Sequence, residues 1–214
     1  AWPFVSDLRT GAMSGGSGEQ AVLMAACGQM AQFYNLPSGI AAGMTDSKIP
    51  DAQSGYEKGY TVTLAGHSGA NLVYESAGMH ASLLGCCLES YVIDNDMLGA
   101  INRTVRGIEV NAETLSLGPI RDVCLDGPGH YLGHEQTLKR MQTDYLYPTV
   151  GDRENINNWI EQGSTDSIQR AHLKVKEILK THFPKHWDEA TDEKIRAQFP
   201  VRLPRNRMQI PEIS

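Results

Sequence analysis

The fold of this chain is decided by the segment Gly43-Met44-Thr45-Asp46-Ser47-Lys48-Ile49-Pro50-Asp51-Ala52-Gln53-Ser54-Gly55-Tyr56-Glu57-Lys58. It begins at the end of a short apolar run, residues 38–44, whose length and bounding residues are typical of a buried β-strand. In α/β proteins, the loops at the carboxyl ends of the strands carry the ligand-binding groups. The segment therefore predicts a strand followed by a polar functional loop, although an ordinary loop leading to a helix N-cap would give the same pattern.

The composition is that of an ordinary globular protein. The chain has 214 residues, of which 41% are hydrophobic and 21% charged, a length that suits one domain or part of a larger one. Its net charge of -6 argues against nucleic acid or an anionic membrane as the main partner and suits a cationic ligand. No apolar run approaches the roughly 20 residues that are needed to span a bilayer.

The cysteines and the amino terminus bear on the compartment and the native length. Four cysteines, of which Cys86 and Cys87 are adjacent, form no spaced framework, so we expect buried free thiols in a reducing, cytoplasmic compartment. The first residues lack the charged region and apolar core of a signal peptide, and they lack a Met. We therefore expect the chain to be a piece of a longer protein.

The first 110 residues alternate between strand and helix patterns. Strands are predicted over residues 2–7, 38–44 and 70–76, and helices over residues 19–35, 52–68 and 83–106. This alternation with short connections predicts βαβ units and a parallel sheet. Since three strands cannot close a barrel, which needs about eight, they form either a small open sheet or the last part of a barrel.

Residues 111–214 differ in character from the first part. Helices are predicted over residues 112–124 and 159–180, and the Gly-rich segment 127–134 separates them. The tail from Asp188 is charged, and residues 202–214 are predicted to be extended. We therefore divide the chain into closing βα units, residues 1–110, and a C-terminal helical segment with an extended tail, residues 111–214.

His130 and His134 stand four residues apart, the spacing that places two imidazoles on one helix face. Glu135 beside them suggests zinc, but it lies outside the pair rather than inside it as in His-Glu-x-x-His. We therefore predict no metal site and interpret the two histidines as loop residues that face a ligand or a partner.

Asp94-Asn95-Asp96 resembles the start of a calcium loop. No Gly or Glu completes the loop, and the tripeptide falls inside a predicted helix. We interpret it as a solvated helix face.

Three of the tyrosines lie near predicted strand ends beside carboxylates. Aromatic faces next to Asp or Glu attract quaternary ammonium ions by cation–π and Coulomb interactions, each worth about 1–2 kcal/mol when desolvated. The alternative is that these tyrosines only pack against neighbouring side chains. The tyrosines considered are Tyr56, Tyr60, Tyr74, Tyr91 and Tyr131.

Five motifs stand out when they are taken together: Asp7-Leu8-Arg9-Thr10-Gly11-Ala12, Thr45-Asp46-Ser47-Lys48-x-Pro50-Asp51-x-Gln53-x-Gly55-Tyr56-Glu57-Lys58, Gly69-Ala70-Asn71, Gly78-Met79 and Gly127-Pro128-Gly129-His130-Tyr131-Leu132. They resemble the C-terminal part of the trimethylamine methyltransferase family. The resemblance extends to about residue 184, and residues 46–58 are its most specific part. Family members are (β/α)8 TIM barrels roughly twice this length, so the resemblance implies that this chain supplies the closing strands and the C-terminal helices.

The resemblance also implies an activity, in which a methylated amine donates a methyl group to the Co(I) of a separate corrinoid protein. Members that act on trimethylamine carry pyrrolysine in this half, whereas this chain has only standard residues and resembles the branch that includes glycine betaine methyltransferases. A quaternary ammonium already has a neutral tertiary amine as its leaving group, so no activating adduct is needed. The protein would hold the cation, exclude water and align one methyl group with cobalt. No tightly bound cofactor is expected, because the partner protein supplies the corrinoid.

These arguments assign candidate residues but no catalytic residue. The candidate substrate-binding residues are Asp46, Lys48, Gln53, Tyr56, Glu57, Tyr74 and Glu75, and the candidate corrinoid or loop contacts are His130, Tyr131 and His134. An alternative function is a non-catalytic α/β module that binds a quaternary ammonium ligand. An open sheet edge and an exposed apolar face would favour association, so we also expect a homo-oligomer or contact with a missing N-terminal portion.

Overall fold

The computed structural model describes residues 2–183 and 186–208. The strands are β1 (Gly39–Ala41), β2 (Leu72–Tyr74), β3 (Met79–His80) and β4 (Gly85–Cys86). The helices are α1 (Gly18–Phe33), α2 (Ala52–His67), α3 (Leu88–Arg106), α4 (Leu117–Cys124), α5 (Glu135–Thr143), α6 (Ile156–Glu161), α7 (Ser167–Thr181) and α8 (Glu189–Gln198). A 3-10 turn, Arg205–Met208, follows α8.

A parallel βαβ unit organises the first half. Strands β1 and β2 pair in parallel, with Gly39 opposite Leu72 and Ala41 opposite Tyr74, and α2 is the connection between them. This confirms the predicted α/β class. Each strand is only three residues long, and the described part of the chain contains no closed barrel.

The core lies between β1 and the helices that cover it. Helix α1 packs on α2, and α2 packs on α3. The buried apolar residues are Met24, Ile40, Ala41, Ala42, Met44, Val62, Ala65 and Ile101. Burying a side chain such as Ile40, which is 1% exposed, contributes about 1.5–3 kcal/mol, so this cluster holds the loop after β1 firmly in place.

The prediction of a strand over residues 2–7 is wrong. Only Ser6 makes a β-bridge, and its antiparallel partner is Met13 in the Gly-rich turn, residues 11–18, so this segment folds back on itself. The indole N–H of Trp2 donates a hydrogen bond to the carbonyl oxygen of Gly39 at 3.0 Å, outside any strand ladder. The segment therefore lies beside β1 without extending the sheet.

A β-hairpin replaces the predicted start of the third helix. Strands β3 and β4 pair antiparallel, and the first two of the four residues that connect them, Ala81 and Ser82, have positive φ values of 49° and 61°. Non-glycine residues seldom adopt this conformation, so the helical spacing of the apolar residues concealed the turn. Helix α3 consequently begins at Leu88 rather than at residue 83.

The C-terminal half packs on the first half through α7 and α3. The helix predicted over residues 159–180 is two helices, because Gly163 and Ser164 have positive φ values and Asp166 starts α7 with a capping box. The helix predicted over residues 112–124 begins only at Leu117. Asn111 precedes it in a side-chain-stabilised turn.

The tail contains a helix that the sequence patterns did not predict. Helix α8 begins after Asp188, whose side chain accepts a hydrogen bond from the N–H of Thr191. Within the predicted extended segment, Arg205–Met208 form a 3-10 turn instead, and residues 209–214 lie outside the described residues. None of the described helices is both long and apolar enough to cross a membrane.

All four cysteines are free. Cys86 and Cys124 are exposed, so the prediction of buried thiols is wrong for these two. Cys27 and Cys87 are partly buried.

Candidate functional site

The candidate site lies at the carboxyl edge of the parallel pair. Asp46 is in the loop that follows β1, and Glu75 directly follows β2. Because the strands are parallel, these loops leave the same edge of the sheet. Glu57 and Lys48 are both hydrogen-bonded to Asp46, so these charged residues lie together at the carboxyl edge.

Asp46 joins the β1 loop, defined as residues 43–48, to the Gly-rich turn. One carboxylate oxygen accepts a hydrogen bond from the hydroxyl of Ser14 at 2.6 Å, and the other accepts one from the N–H of Gly16 at 3.3 Å. Helix α1 starts immediately afterwards with Ser17 as its N-cap. The negative charge therefore lies near the positive end of the helix dipole, where it is stabilised.

Glu57 is the centre of the hydrogen-bond network, although it lies on α2 and is only 6% exposed. Its Oε2 accepts hydrogen bonds from the hydroxyl of Thr45 at 2.5 Å and from the N–H of Asp46 at 2.8 Å. Its Oε1 accepts one from the side-chain amide of Gln53 at 2.9 Å. A Cβ atom at Gly16 would collide with this carboxylate, so only glycine allows the turn to approach it.

Two tyrosines border the network. The hydroxyl of Tyr60 donates a hydrogen bond to the carbonyl oxygen of Gly16. Burial, and after it the charge of Glu57, raise the pKa of Tyr60 to about 12, so this hydroxyl stays protonated as a donor. Tyr56 stacks on Tyr60 with ring centroids 6.4 Å apart and is 59% exposed, so it offers an aromatic surface beside the buried carboxylate of Glu57.

Lys48 is bound to its own loop. Its Nζ donates a hydrogen bond to the carbonyl oxygen of Asp46 at 2.6 Å in an exposed position. Hydrogen bonds therefore connect four of the seven predicted substrate residues, and Tyr56 adjoins them through Tyr60. These four residues are Asp46, Lys48, Gln53 and Glu57.

Tyr74 lies apart from this network. Its ring packs against Gly39 at the start of β1 and against Trp2, with the ring centroids of Tyr74 and Trp2 4.7 Å apart. Within the described residues, no hydrogen bond or ring contact joins it to Asp46 or Glu57.

Glu75 is at the same edge but in an unusual state. Its backbone has a positive φ of 60°. Its Oε2 is buried and has no hydrogen-bond partner in the described part of the chain. Burial raises the pKa of this carboxyl group.

The β3–β4 hairpin, which the sequence patterns did not predict, positions the β1 loop. The N–H groups of Ala81 and Ser82 donate hydrogen bonds of 2.8 Å to the carbonyl oxygens of Ser47 and Thr45. The hydroxyl of Ser82 also accepts a hydrogen bond from the N–H of Gly15 at 3.0 Å. The hairpin therefore clamps both segments that hold Asp46.

A buried ion pair lies behind the site, and it overturns the interpretation of Asp94 as part of a solvated face. The Nζ of Lys58 is 2.7 Å from a carboxylate oxygen of Asp94, and these side chains are 0% and 4% exposed. The same oxygen accepts a hydrogen bond from the N–H of Gly78 at 2.7 Å. Asp94 is one helical turn from the buried Ser90 and seven residues before the buried Ile101, a spacing that places it on the buried face of α3.

The proposed corrinoid contacts are in a separate segment before α5. The Nδ1 of His134 accepts a hydrogen bond from the N–H of Gln136 at 3.1 Å, so this histidine is the N-cap of α5. The hydroxyl of Tyr131 is 3.2 Å from the Sγ of Cys124, and His130 is exposed. No hydrogen bond in the described residues connects this segment to the β1 loop.

A cavity of about 500 Å³ lies between the C-terminal end of α3 and α5. Its arginines are engaged in holding the fold. Arg103 donates hydrogen bonds to the carbonyl oxygens of Asp144 and Gly107, and Arg106 donates one to that of Thr143. The cavity is therefore distinct from the carboxylate network at the sheet edge.

Comparisons of the sequence with known proteins give a family and several relatives. The sequence model of the family described as trimethylamine methyltransferase (MTTB) matches residues 1–204. The chain is 32% identical over 194 residues to a glycine betaine methyltransferase of Desulfitobacterium hafniense (strain Y51), a match that covers 90% of this chain and 40% of that protein. It is 39% identical over 177 residues to the trimethylamine methyltransferase MttB of Methanosarcina thermophila, covering 82% of this chain and 36% of that protein.

The chain thus spans about two fifths of the length of these curated relatives. The family match nevertheless extends over nearly all of its residues, including the Gly-rich turn, the βαβ unit and the C-terminal helices. The chain belongs to the trimethylamine methyltransferase (MTTB) family.

Proposed function

We propose that this chain is the substrate-binding part of a methyltransferase that moves a methyl group from a methylated amine to the Co(I) of a corrinoid protein. The observation that carries the proposal is the carboxylate network of the partly buried Asp46 and the buried Glu57 at the carboxyl edge of a parallel βαβ unit. Such an edge is where α/β proteins bind their ligands, and relatives of the chain are named for methyl transfer from glycine betaine and trimethylamine.

The preferred donor is a quaternary amine such as a betaine. The sequence contains only the standard amino acids, whereas activating a tertiary amine would need an additional group. When such a cation loses one methyl group, the C–N bond breaks and its electron pair remains on nitrogen as a neutral tertiary amine. The Co(I) of the partner protein's corrinoid supplies the nucleophile, and the protein's own residues orient the donor and exclude water.

The candidate residues form two groups, one proposed to contact the substrate and one proposed to contact the corrinoid partner. The exposed ring of Tyr56 provides a face for the cation, and the anionic groups beside it provide a negative field. The remaining candidate substrate contacts are Asp46, Lys48, Gln53, Glu57, Tyr74 and Glu75. His130, Tyr131 and His134, in the exposed segment before α5, are the candidate contacts with the corrinoid partner.

The proposed architecture is the closing portion of a TIM barrel. It is supported by the parallel β1–β2 pair with its helical crossover and by the free outer edges of this pair, since each strand has one partner within the described residues. Residues 1–110 would supply the closing βα units and residues 111–214 the C-terminal segment. Exposed edges of this kind favour association, so we also propose a homo-oligomer, and the free thiols suit the reducing cytoplasm.

A methyl-transfer assay tests this proposal. The chain is mixed with a Co(I) corrinoid protein and, in separate reactions, with glycine betaine, carnitine, trimethylamine and dimethylglycine. With the quaternary donors we expect methylation of the corrinoid, which is measured as a change in the corrinoid's absorbance. Binding without transfer would favour the non-catalytic module. The absence of both binding and transfer would contradict the proposal.

A further inference from the structure

Glu75 differs from the other acidic residues at the site in two respects that are independent of each other. It is a non-glycine residue with a positive φ of 60°, directly after β2. Its Oε2 is buried without a hydrogen-bond partner in the described part of the chain. A strained backbone and an unsatisfied buried polar atom are both unfavourable, and such features concentrate at functional sites.

The neighbouring residues force this conformation on Glu75. Before it, the carbonyl oxygen of Tyr74 accepts a hydrogen bond from the N–H of Ala42 at 3.1 Å, which continues the pairing of the two strands. After it, the backbone of Ser76 passes so close to Gly43 that a Cβ atom at Gly43 would lie 2.6 Å from the Cα of Ser76.

Two residues further along, the chain is anchored again. The N–H of Gly78 is bound by Asp94, which is itself paired with the buried Lys58. The segment is therefore fixed on both sides of Glu75, and the carboxyl group is held in place without a hydrogen bond of its own to Oε2.

The other two carboxylates of the edge are already engaged. Asp46 accepts a hydrogen bond on each oxygen, and Glu57 accepts three in total. A ligand that approached either of them directly would compete with bonds that hold the β1 loop and the Gly-rich turn. Glu75, in contrast, has a buried oxygen, Oε2, that accepts no hydrogen bond from the described part of the chain.

We propose that Glu75 is the anionic group that meets the positive charge of the methylated amine, and that Asp46 and Glu57 are positioning residues that hold the loop around it. This inference rests on the proposed function and specifies which carboxylate contacts the ligand. A quaternary ammonium donates no hydrogen bonds, so the carboxylate that receives it needs a free, desolvated oxygen rather than a hydrogen-bond partner.

The test compares Glu75→Gln with the wild type and with Glu161→Gln, a matched control at the exposed end of α6. Binding is measured by isothermal titration with glycine betaine and with tetramethylammonium chloride, which carries the cationic head alone. We expect the Kd of Glu75→Gln to rise about tenfold or more for both ligands, because a desolvated charge contact is lost, while Glu161→Gln binds as the wild type does.

A second measurement separates a ligand contact from a structural role. Since a neutral amide replaces a buried carboxyl group whose Oε2 has no partner, the thermal midpoint of ligand-free Glu75→Gln should equal or exceed that of the wild type. Wild-type affinity in Glu75→Gln, or a clearly lower midpoint, would overturn the inference while leaving the proposed function intact. A wild type that binds neither ligand would overturn the proposed function and this inference together.

Discussion

The carboxylate of Glu57 accepts a hydrogen bond from the backbone N–H of Asp46 at 2.8 Å, and this bond connects helix α2 to the loop that leaves β1. It ties the crossover helix of the βαβ unit to the strand that precedes it. The geometry of the carboxyl edge therefore depends on a buried charge rather than on the sheet alone.

Replacing Glu57 with Gln should loosen the β1 loop. An amide has one oxygen and one NH2 group, so it cannot accept all three hydrogen bonds that the carboxylate accepts. Leaving a buried donor unsatisfied costs about 1–3 kcal/mol of unfolding free energy. Urea denaturation measures the change, with Glu161→Gln as the control. Equal unfolding free energies for the two variants would contradict the assigned role of Glu57.

Removing one partner of the Lys58–Asp94 pair should destabilise the fold severely. Because both side chains are buried, Lys58→Met leaves an unpaired carboxylate and should lower the unfolding free energy by about 3–5 kcal/mol. The double variant Lys58→Met/Asp94→Leu removes both charges and should recover part of the loss, with the N–H of Gly78 left unpaired. Urea denaturation of both variants measures these changes in unfolding free energy. Wild-type stability of Lys58→Met would show that the ion pair does not form in solution.

Gly43 should not tolerate a side chain. Its φ is 100°, and a Cβ atom would collide with the backbone of Ser76, so Gly43→Ala should cost at least about 1–3 kcal/mol. Gly55 in α2 provides the matched control, because nothing lies near its position for a Cβ atom. Gly55→Ala should stabilise the protein by about 0.5–1 kcal/mol through its higher helix propensity. Thermal unfolding of the two variants should therefore shift in opposite directions.

Acid should weaken the contact between α3 and α7. A hydrogen bond from His172, and after it one from Cys87, lower the pKa of Glu89 from 4.5 to about 2. A group whose pKa is depressed on folding stabilises the protein above its unfolded pKa, and this contribution disappears as the pH falls from 4.5 towards 2. The pair is partly exposed, so the effect is screened and modest.

This pH dependence can be assigned with a variant. His172→Gln should have a shallower loss of unfolding free energy across that pH range than the wild type. Denaturant titrations at a series of pH values provide the measurement. Parallel curves for the two proteins would show that another group is responsible for the acid dependence.

The βαβ unit and its functional edge were predictable because the signals for them are local. A short apolar run with turn residues on both sides predicts a strand, and the pattern that follows predicts a helix from residue 52, where α2 begins. Parallel strands then bring the residues that follow them, Asp46 and Glu75, to one edge. None of these steps needs information about distant contacts.

The errors arose where a local pattern fits two structures. The helical spacing after residue 83 concealed a hairpin whose turn uses Ala81 and Ser82 at positive φ. Similarly, the amphipathic pattern over residues 159–180 continues across a break at Ser164. Sequence periodicity does not show such breaks, because it follows the spacing of the apolar residues and not the backbone conformation of the residues between them, such as Gly163 and Ser164.

The sequence by itself therefore determined the α/β class and which residues reach the carboxyl edge, since periodicity and capping act over a few residues. Only the tertiary structure decided what each charged side chain does there. Lys58 and Asp94 are 36 residues apart along the chain and form a buried pair. Glu57 accepts three hydrogen bonds, whereas the buried Oε2 of Glu75 accepts none within the described residues. Burial and hydrogen-bond partners depend on which distant segments pack together, and that is a property of the folded chain.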